Sequence, residues 1–382
     1  MNFKTQVEDY KEMKLDSQFP YAIEEWEAKA KEKISIEKYD YIAAGAGSED
    51  TINENLDAFK RLRIVPRMFR DVRSTDTSVS ILGETFKSPV FIAPVGVQKI
   101  AHPDGDLATA RAAKSVNVPF IASTVSAYSM EEIAEELGDT TRWFQLYWSN
   151  NKELVKSLIQ RAENSGYSAI VITLDTAMVG WRERDLQHRW LPFLEGVGIA
   201  NYTSDPVFRS LLDKNPDEDI HAAGLKFRDV FGNTGITWRD LEFIREITTL
   251  PILLKGILDP RDAELALHHG VDGIVVSNHG GRQVNGSIAT IDALPNVCEV
   301  VQGKVPVLMD SGIRRGDDVI KAIAQGASAV LVGRPFIYGL AAGGEHGVRQ
   351  VLRNLLADFE LSMSMSGLKS VSEIDSSILF KR

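Results

Sequence analysis

Eight short, mainly apolar segments recur from residue 90 onward, and they constrain the fold more than any other feature of the chain. Most are continuous apolar runs rather than alternating ones, a pattern typical of parallel strands buried on both faces. Polar segments with helical periodicity lie between them. The predicted strands are VFIA (90–93), PFIAS (119–123), RWFQLY (142–147), AIVITLD (169–175), PILLKG (251–256), GIVVSN (273–278), VPVLMD (305–310) and AVLVG (329–333).

Eight strands that alternate with helices predict an α/β fold, the (β/α)8 TIM barrel. A doubly wound open sheet is the alternative, but no GxGxxG motif follows the first strand. The chain has 382 residues, whereas a barrel of this kind uses about 250. We therefore predict an N-terminal helical segment, residues 1–75, packed on a barrel domain, residues 76–382.

The widest interval between predicted strands separates the fourth from the fifth, from Thr176 to Leu250. Its last part, TWRDLEFIREIT, has the pattern of the expected barrel helix. The preceding stretch, about residues 177–236, is rich in Gly, Pro, Asp and Asn. It follows the C-terminal end of a strand, where barrel active sites lie, and loops of this length are often functional. We predict a long lid loop there; a tolerated surface insertion is the alternative.

Charge and cysteine content narrow the possible partners and location. Lys and Arg total 43 against 53 Asp and Glu, and the net charge of −10 argues against a nucleic-acid partner. Cys298 is the only cysteine, so we expect no disulfide framework and a reducing, cytoplasmic location. No apolar run approaches the roughly 18 residues of a membrane helix, and the start MNFKTQVEDYKEMK lacks a signal-peptide core. We expect a soluble protein with no membrane partner.

Polar residues occupy the C-terminal ends of the predicted strands, which is where barrel enzymes place their catalytic groups. Each residue alone could have a structural role, with its hydrogen bonds made within the protein, but together they favour a ligand site. The residues in question are Gln145, Tyr147, Thr173, Asp175, Lys255, Ser277, Asn278, His279 and Asp310.

The segment SNHGGRQ (277–283) gives the most specific signal for catalysis. His279 follows directly on a predicted core strand, and Arg282 returns to the same side three residues later. A base beside a fixed cation suits proton removal from an anionic substrate, and Asp175 could hold and stabilise the imidazole. Arg182, in GWRERD, supplies a second cation, so we expect a carboxylate substrate. The alternatives are a hydrogen-bonded loop histidine and a surface charge cluster.

The last two strands are followed by glycine and arginine, in DSGIRRG (310–316) and GRP (333–335). Barrel loops at these positions commonly bind phosphate through backbone N–H groups and a helix N-terminus, and ordinary turns are the alternative. Lys255 suits a developing negative charge on a cofactor ring. A Schiff-base aldolase that uses Lys255 is a rival of another class. No CxxC, HExxH or GxSxG motif points to a metal site or a serine hydrolase.

From about Tyr39 to its C-terminus, the chain resembles the FMN-dependent 2-hydroxy-acid oxidising enzymes, a family that includes glycolate oxidase and lactate oxidase. The segments that carry this resemblance are SNHGGRQ, LMDSGIRRGDDVIKAIAQGASAVLVGRP, FQLYW, ITLDT and ILLKG. Three further segments look most like lactate 2-monooxygenase: APVGVQKIAHPDGD, GWRERDL and PFLEGVGIANYTSDPVF.

The resemblance implies FMN as cofactor and a role for each candidate residue. His279 is the expected active-site base with Asp175 as its partner, and Lys255 is expected beside flavin N1. The implied substrate-binding residues are Tyr41, Tyr147, Arg182, His279 and Arg282. The positions implied to line the isoalloxazine and ribityl are Pro94, Val95, Gly96, Ser123, Gln145, Thr173 and Ser277. Those implied at the ribityl and phosphate end are Asp310, Gly312, Arg314, Gly333 and Arg334.

One departure from the plant-type glycolate oxidases bears on the substrate. Those enzymes carry a tryptophan in the loop after strand two, where this chain has Val125, with Tyr128 nearby. The altered wall and the lactate-enzyme resemblance favour L-lactate. We expect its oxidation with O2, in the lactate 2-monooxygenase manner, to acetate, CO2 and water. L-lactate oxidase activity, which gives pyruvate and H2O2, is the alternative. The family resemblance also implies a homo-oligomer, a tetramer.

Overall fold

The computed structural model describes Gln6 and residues 19–381, so the rest of the predicted N-terminal segment and Arg382 lie outside the described residues. Within residues 19–381, three helices precede the barrel: α1 (Ile23–Lys33), α2 (Ile36–Ala43) and α3 (Asp50–Arg61). Strand β1 (Leu62–Ile64) then pairs antiparallel with the C-terminal strand β12 (Leu379–Lys381). The C-terminal strand is thereby joined to the segment that leads from α3 into the barrel.

A hairpin of β2 (Val79–Ile81) and β3 (Glu84–Phe86) closes one end of the barrel. Ile81 and Phe86 are buried in the same apolar cluster as residues that point into the barrel. Phe86 packs 4.8 Å from Phe91, and Phe91 packs 4.9 Å from Trp143, between ring centroids. Trp143 is the second residue of its strand, so the hairpin covers the N-terminal end and leaves the C-terminal end for a site.

Eight parallel strands form a closed barrel in the order of the sequence, which confirms the predicted fold class. Nearly all of their residues are buried, as the continuous apolar runs indicated. The strands are β4 (Val90–Ile92), β5 (Phe120–Ala122), β6 (Arg142–Tyr147), β7 (Ile170–Thr173), β8 (Ile252–Ile257), β9 (Gly273–Val276), β10 (Val307–Met309) and β11 (Ala329–Val332).

Helices surround the barrel between successive strands. In chain order they are α4 (Gly105–Val116), α5 (Met130–Leu137), α6 (Lys152–Asn164), α7 (Glu183–His188), α8 (Ala200–Thr203), α9 (Pro206–Ser210), α10 (Ile220–Val230), α11 (Leu241–Ile247), α12 (Pro260–His268), α13 (Thr290–Val301), α14 (Gly316–Ala324) and α15 (Arg334–Met365). Short 3-10 turns lie at Gln98–Ile100, Pro192–Glu195, Trp238–Asp240, His279–Gly281, Val371–Glu373 and Ser376–Ile378. Within the described chain, no helix combines the length and apolarity needed to cross a membrane.

The lid segment, residues 177–236, is folded into short helices rather than one continuous loop. Its polar residues, which suggested a loop, cap these helices: Asp205 accepts backbone N–H bonds at the start of α9, and Asp219 does so at the start of α10. Tyr202 and Phe208 of the lid segment are fully buried. The fully buried Asp205 also pairs with Arg161 of α6 at 3.0 Å, which fastens the lid to the barrel wall.

Candidate active site

A cavity of about 750 Å³ lies at the C-terminal end of the barrel strands, beneath the lid segment. It is lined by residues from the N-terminal segment, from all eight of the barrel's strand ends or the loops after them, and from the lid, so most of the predicted site residues meet there. The predicted residues that line it are Tyr41, Pro94, Val95, Gly96, Tyr147, Arg182, Lys255, His279, Arg282, Asp310, Gly312, Arg314, Gly333 and Arg334.

His279 and Asp175 form a hydrogen-bonded pair at the edge of this cavity, with 2.7 Å between His279 Nδ1 and Asp175 Oδ1. Burial opposes the charge of Asp175, but His279 and Lys255 outweigh it and lower the pKa of Asp175 to about 2. Burial lowers the pKa of His279, and Asp175 opposes that shift. An ionised Asp175 accepts the Nδ1 proton, which leaves His279 Nε2 as a neutral base.

The backbone of His279 has φ +57°, an uncommon conformation for a residue with a side chain. The His279 backbone N–H donates to Ser277 Oγ at 3.1 Å, and the Gly280 N–H donates to Ser311 Oγ at 2.9 Å. These two hydroxyls fix the turn that carries the imidazole. Strained conformations of this kind persist where surrounding contacts over-determine them, and they concentrate at functional sites.

Lys255 ends inside the barrel mouth, where its Nζ lies 3.3 Å from Asp310 Oδ2 and donates to Ser277 Oγ at 3.0 Å. Burial works against its charge, but Asp310 and Asp175 outweigh burial and raise the pKa of Lys255. Lys255 is therefore a fixed cation at neutral pH rather than a free amine.

The buried Arg182 and the half-buried Arg282 bring two guanidinium groups to one wall of the cavity, as the sequence predicted. Arg182 Nε donates to the Arg282 carbonyl at 3.1 Å, and Arg282 Nη1 donates to the carbonyls of Tyr41 and Ala44. Burial and the charge of Arg182 lower the pKa of Arg282. A bound anion would offset both the burial of the Arg282 charge and its repulsion by Arg182, so this wall favours a carboxylate.

Two predicted tyrosines flank the arginines and the base. The Arg282 guanidinium lies 5.3 Å from the centre of the Tyr41 ring, and the Tyr41 ring meets Trp190 of the lid edge-on. Tyr147, at the end of β6, packs against Phe231. Burial raises the pKa of Tyr41, and it raises the pKa of Tyr147 to about 12. Both hydroxyls are therefore neutral and able to donate a hydrogen bond.

Three predicted residues form a polar layer at the strand ends, although they are absent from the cavity lining. Gln145 Nε2 donates to Thr173 Oγ1 at 3.0 Å, and the Ser123 hydroxyl donates to Gln145 Oε1 at 3.2 Å. All three are buried. Because buried polar groups need partners, this chain fixes the ends of β5, β6 and β7 relative to one another.

The far end of the cavity differs in detail from the sequence interpretation. Arg334 was predicted to supply charge, yet it donates to the carbonyls of Ile42, Ala44 and Gly280 and thus holds the N-terminal segment against the His279 turn. Within residues 19–381, the Arg314 side chain donates a single hydrogen bond, from Nη1 to the adjacent Ile313 carbonyl. Arg314 is therefore the better placed cation for an anionic group at this end.

Gly312 lines the cavity, and its surroundings in the protein also require glycine. Its φ is +95°, and a Cβ there would lie 2.6 Å from the Asn55 carbonyl oxygen of α3. Packing against α3 and the backbone conformation both require glycine. Gly333 caps the start of α15 without a side-chain cap, which leaves that helix N-terminus open toward the cavity.

Val125, which stands where the plant-type glycolate oxidases carry a tryptophan, forms part of the cavity wall. The Val97 N–H donates to the Val125 carbonyl at 2.9 Å, and a Cβ on Gly96 would lie 2.5 Å from Val125. The loop after β5 therefore packs directly on the loop after β4 and leaves an apolar wall of small side chains.

Sequence reasoning did not single out three residues that the structure places at the site. Thr176 Oγ1 lies 2.8 Å from Asp175 Oδ1 and 3.0 Å from His279 Nδ1. Asp185, on α7, lines the cavity 3.8 Å from Arg182. Gln283 bonds the Arg182 side chain. Position beside Asp175, Arg182 and Arg282 was the only available signal.

Among residues 19–381, no group of three or more His, Cys, Asp or Glu side chains could hold a metal ion.

Comparison with known proteins agrees with this architecture. The family model described as FMN-dependent dehydrogenase matches residues 30–381. An L-lactate oxidase from Lysinibacillus sphaericus is 43% identical over 371 residues, covering 97% of this chain and 95% of that protein. Human 2-hydroxyacid oxidase 1 is 41% identical and covers 94% and 96% of the two chains. A crystal structure of mandelate oxidase superposes with a TM-score of 0.84 at 38% identity, over 95% of this chain and 99% of that one. The chain therefore belongs to the FMN-dependent dehydrogenase family, whose members are oxidoreductases with FMN as cofactor.

Proposed function

We propose that this protein oxidises an L-2-hydroxy acid, with L-lactate as substrate and O2 as electron acceptor. The observation that carries the proposal is the placement of a neutral base, His279 Nε2, at the same cavity as two arginines, Arg182 and Arg282. That arrangement can hold a carboxylate and take a proton beside it. The relatives named for L-lactate and 2-hydroxyacid oxidation support the same substrate class.

The cavity has the features that FMN requires. Pro94, Val95 and Gly96 offer a flat apolar wall, and we propose that they contact the isoalloxazine. Lys255 would supply a cation beside the ring. At the other end, Arg314 and the open N-terminus of α15 would hold the phosphate, because helix N-termini favour anions. When bound, FMN supplies an acceptor for two electrons from the substrate.

The chain's own residues would bind the substrate and move its proton. Arg182 and Arg282 hold the carboxylate, and the neutral Tyr147 hydroxyl donates a hydrogen bond to the substrate oxygen. His279 Nε2 accepts the proton, and Asp175 stabilises the imidazolium that results. Such a base contributes about 10²–10⁴-fold to a rate.

The Schiff-base aldolase is disfavoured by the state of Lys255. A nucleophilic lysine must be neutral, and its pKa is commonly lowered for that purpose. Here Asp310 and Asp175 raise the pKa of Lys255 despite its burial. The chain's family membership points the same way.

For the products, we propose the monooxygenase outcome, in which pyruvate stays in the site and reacts with H2O2 to give acetate, CO2 and water. Its support is the lid segment, which is packed over the cavity with a buried interior and a charged fastening between Asp205 and Arg161. Slow product release is a property of such lids. The second candidate is L-lactate oxidase, which releases pyruvate and H2O2, and the 43% identical relative of that name favours it.

Anaerobic mixing of the FMN-loaded protein with L-lactate tests the substrate. Loss of the oxidised flavin absorbance with L-lactate, but not with D-lactate, would support the proposal. Persistence of the oxidised spectrum would reject L-lactate while keeping the cofactor. In air, with catalase present, acetate formed in equal amount to the lactate consumed would support the monooxygenase outcome. Accumulated pyruvate would favour the oxidase.

We also propose a homotetramer in the cytoplasm. The support is the family resemblance and three exposed apolar side chains close together after β1, those of Val65, Met68 and Phe69. Light scattering on the purified protein gives the subunit number directly, and a monomer would contradict the proposal.

A further inference from the structure

Gln283, the last residue of SNHGGRQ, uses its side-chain amide to join three parts of the site. Its Oε1 accepts from Arg182 Nη2 at 3.0 Å and from the Gly180 N–H at 3.3 Å. Its Nε2 donates to the carbonyls of Asp175 at 2.6 Å and Met178 at 2.9 Å. One amide therefore connects the loop of the base, the carboxylate-binding arginine and the start of the lid segment.

The orientation of this amide follows from its partners. Rotating it by half a turn would place the NH2 group against two N–H donors and the oxygen against two carbonyl oxygens. All four bonds would then be lost. The arrangement thus requires a side chain of this length with one acceptor end and one donor end, which only glutamine provides.

The contacts of Arg182 show what Gln283 achieves. Gln283 takes Nη2, and the Arg282 carbonyl takes Nε. These two bonds leave Nη1, which lies 3.8 Å from Asp185 Oδ2, as the guanidinium nitrogen held by neither Gln283 nor the Arg282 carbonyl, and the arginine side chain lines the cavity. A guanidinium fixed on two sides presents its third nitrogen in one direction, which reduces the entropy lost when a carboxylate binds.

The start of the lid segment packs closely against the backbone around Gln283. A Cβ on Gly180 would lie 2.6 Å from the carbonyl oxygens of both Arg282 and Gln283. Beside it, the Gly47 N–H donates to the Trp181 carbonyl at 2.8 Å. The start of the lid segment is thus held between the N-terminal segment and the SNHGGRQ loop.

We propose that Gln283 is a positioning residue for the substrate carboxylate, acting through Arg182 and through the start of the lid segment. It does not touch the reacting atoms. This inference rests on the proposed function only in taking a 2-hydroxy acid carboxylate as the ligand of Arg182.

The test is calorimetric binding of pyruvate, an unreactive 2-oxo acid, to the FMN-loaded protein. Gln283→Met keeps the length and removes all four bonds. Since hydrogen bonds to charged groups are the stronger class, we expect pyruvate affinity to fall about tenfold or more. Gln187→Met, on the exposed face of the lid helix α7, is the matched control and should bind pyruvate like the wild type.

A double-mutant cycle separates positioning from a general structural role. If Gln283 acts through Arg182, adding Gln283→Met to Arg182→Met should weaken pyruvate binding by much less than Gln283→Met alone. Equal, additive losses in the two backgrounds would overturn the proposal. If Gln283→Met does not fold or load FMN, Gln283→Glu serves instead, because it keeps an acceptor for Arg182 and loses the donor to the Asp175 and Met178 carbonyls. Gln283→Glu should then weaken binding, and unchanged affinity would overturn the proposal.

Failure of the substrate assignment has a different signature. If the wild type binds no pyruvate, the same cycle is run with oxalate as a small carboxylate probe, while anaerobic reduction of the flavin by L-lactate decides the substrate. Oxalate binding with a coupled Gln283 and Arg182 would still support the positioning role. Binding of neither carboxylate by the wild type would overturn both the function and this inference.

Discussion

Asp40 of α2 and His188 of α7 lie in contact, with 2.7 Å between Asp40 Oδ2 and His188 Nε2. Arg184 donates to the other oxygen of Asp40, also at 2.7 Å, and reaches Glu49 as well. Asp40 is buried and directly precedes Tyr41, while α7 follows Arg182. One carboxylate thus fastens the lid helix to the segment that carries the tyrosine of the substrate site.

Asp40→Asn should loosen this fastening. The variant keeps an acceptor but loses the charge that Arg184 pairs with, and charge-assisted bonds contribute about 1.5–3 kcal/mol each. We expect pyruvate to leave about tenfold faster, because 1.4 kcal/mol corresponds to a factor of ten. The measurement is the ratio of pyruvate to acetate formed from L-lactate in air, which should rise. Asp57→Asn, which breaks an exposed pair with Lys60 on α3, is the control. An unchanged ratio in Asp40→Asn would show that the Asp40 contact does not control pyruvate release.

His279→Asn should abolish most of the chemistry and leave FMN bound. Asparagine is chosen because it tolerates the positive φ of this position better than alanine. Loss of the base should lower the rate of flavin reduction by L-lactate about 10²–10⁴-fold. Stopped-flow absorbance under anaerobic conditions gives the rate, and the spectrum before mixing gives the FMN content. His268→Asn, at the exposed end of α12, should reduce at the wild-type rate. A fast His279→Asn enzyme would remove His279 from the mechanism.

The barrel could be predicted from the sequence because its strands are buried on both faces and so appear as continuous apolar runs. Residues placed at strand ends, such as His279 and Lys255, followed from that pattern and from local motifs. The role of Arg334 could not be predicted, since its three carbonyl partners come from segments far apart in the chain. The lid helices could not be predicted because the burial of their side chains, such as Tyr202, depends on packing against segments far away in the chain. Local composition shows the polar residues that cap such helices, but it does not show which of their side chains are buried.

Asp175→Asn should move the pH profile as well as lower the rate. Asp175 favours the protonated imidazole, so it raises the pKa of His279 against the effect of burial. Without that charge the pKa of His279 falls further, and the base becomes free of its proton at lower pH while being weaker. We expect kcat/KM to fall about 10²–10⁴-fold and its acid limb, which reports the free enzyme, to shift to lower pH. The measurement is kcat/KM for L-lactate across the acid range. An acid limb that moved to higher pH would contradict the assigned pair.

Asp106, in the first turn of α4, should make folding stability fall as the pH rises through neutrality. Asp106 is fully buried; its Oδ2 accepts from the Ala127 N–H at 2.9 Å, and its Oδ1 has no hydrogen-bond partner among the residues that the structure describes. Burial raises its pKa to about 7, so the folded protein keeps a proton that the unfolded chain releases near pH 4. The stabilisation is present at low pH and is lost as the pH rises through the folded pKa, by on the order of 2–3 kcal/mol between about pH 5 and about pH 8.

Asp106→Asn cannot titrate and lacks this slope. Urea unfolding at the two pH values should therefore show the free energy of unfolding of the wild type, relative to Asp106→Asn, decreasing as the pH is raised. Asp139→Asn, which changes an exposed carboxylate, should follow the wild type at both pH values. Parallel behaviour of the wild type and Asp106→Asn would mean that Asp106 is ionised in the folded protein throughout. Because the Asp106 contact holds the loop that carries Val125, the same variant should leave FMN content unchanged at low pH, where the carboxyl is already neutral.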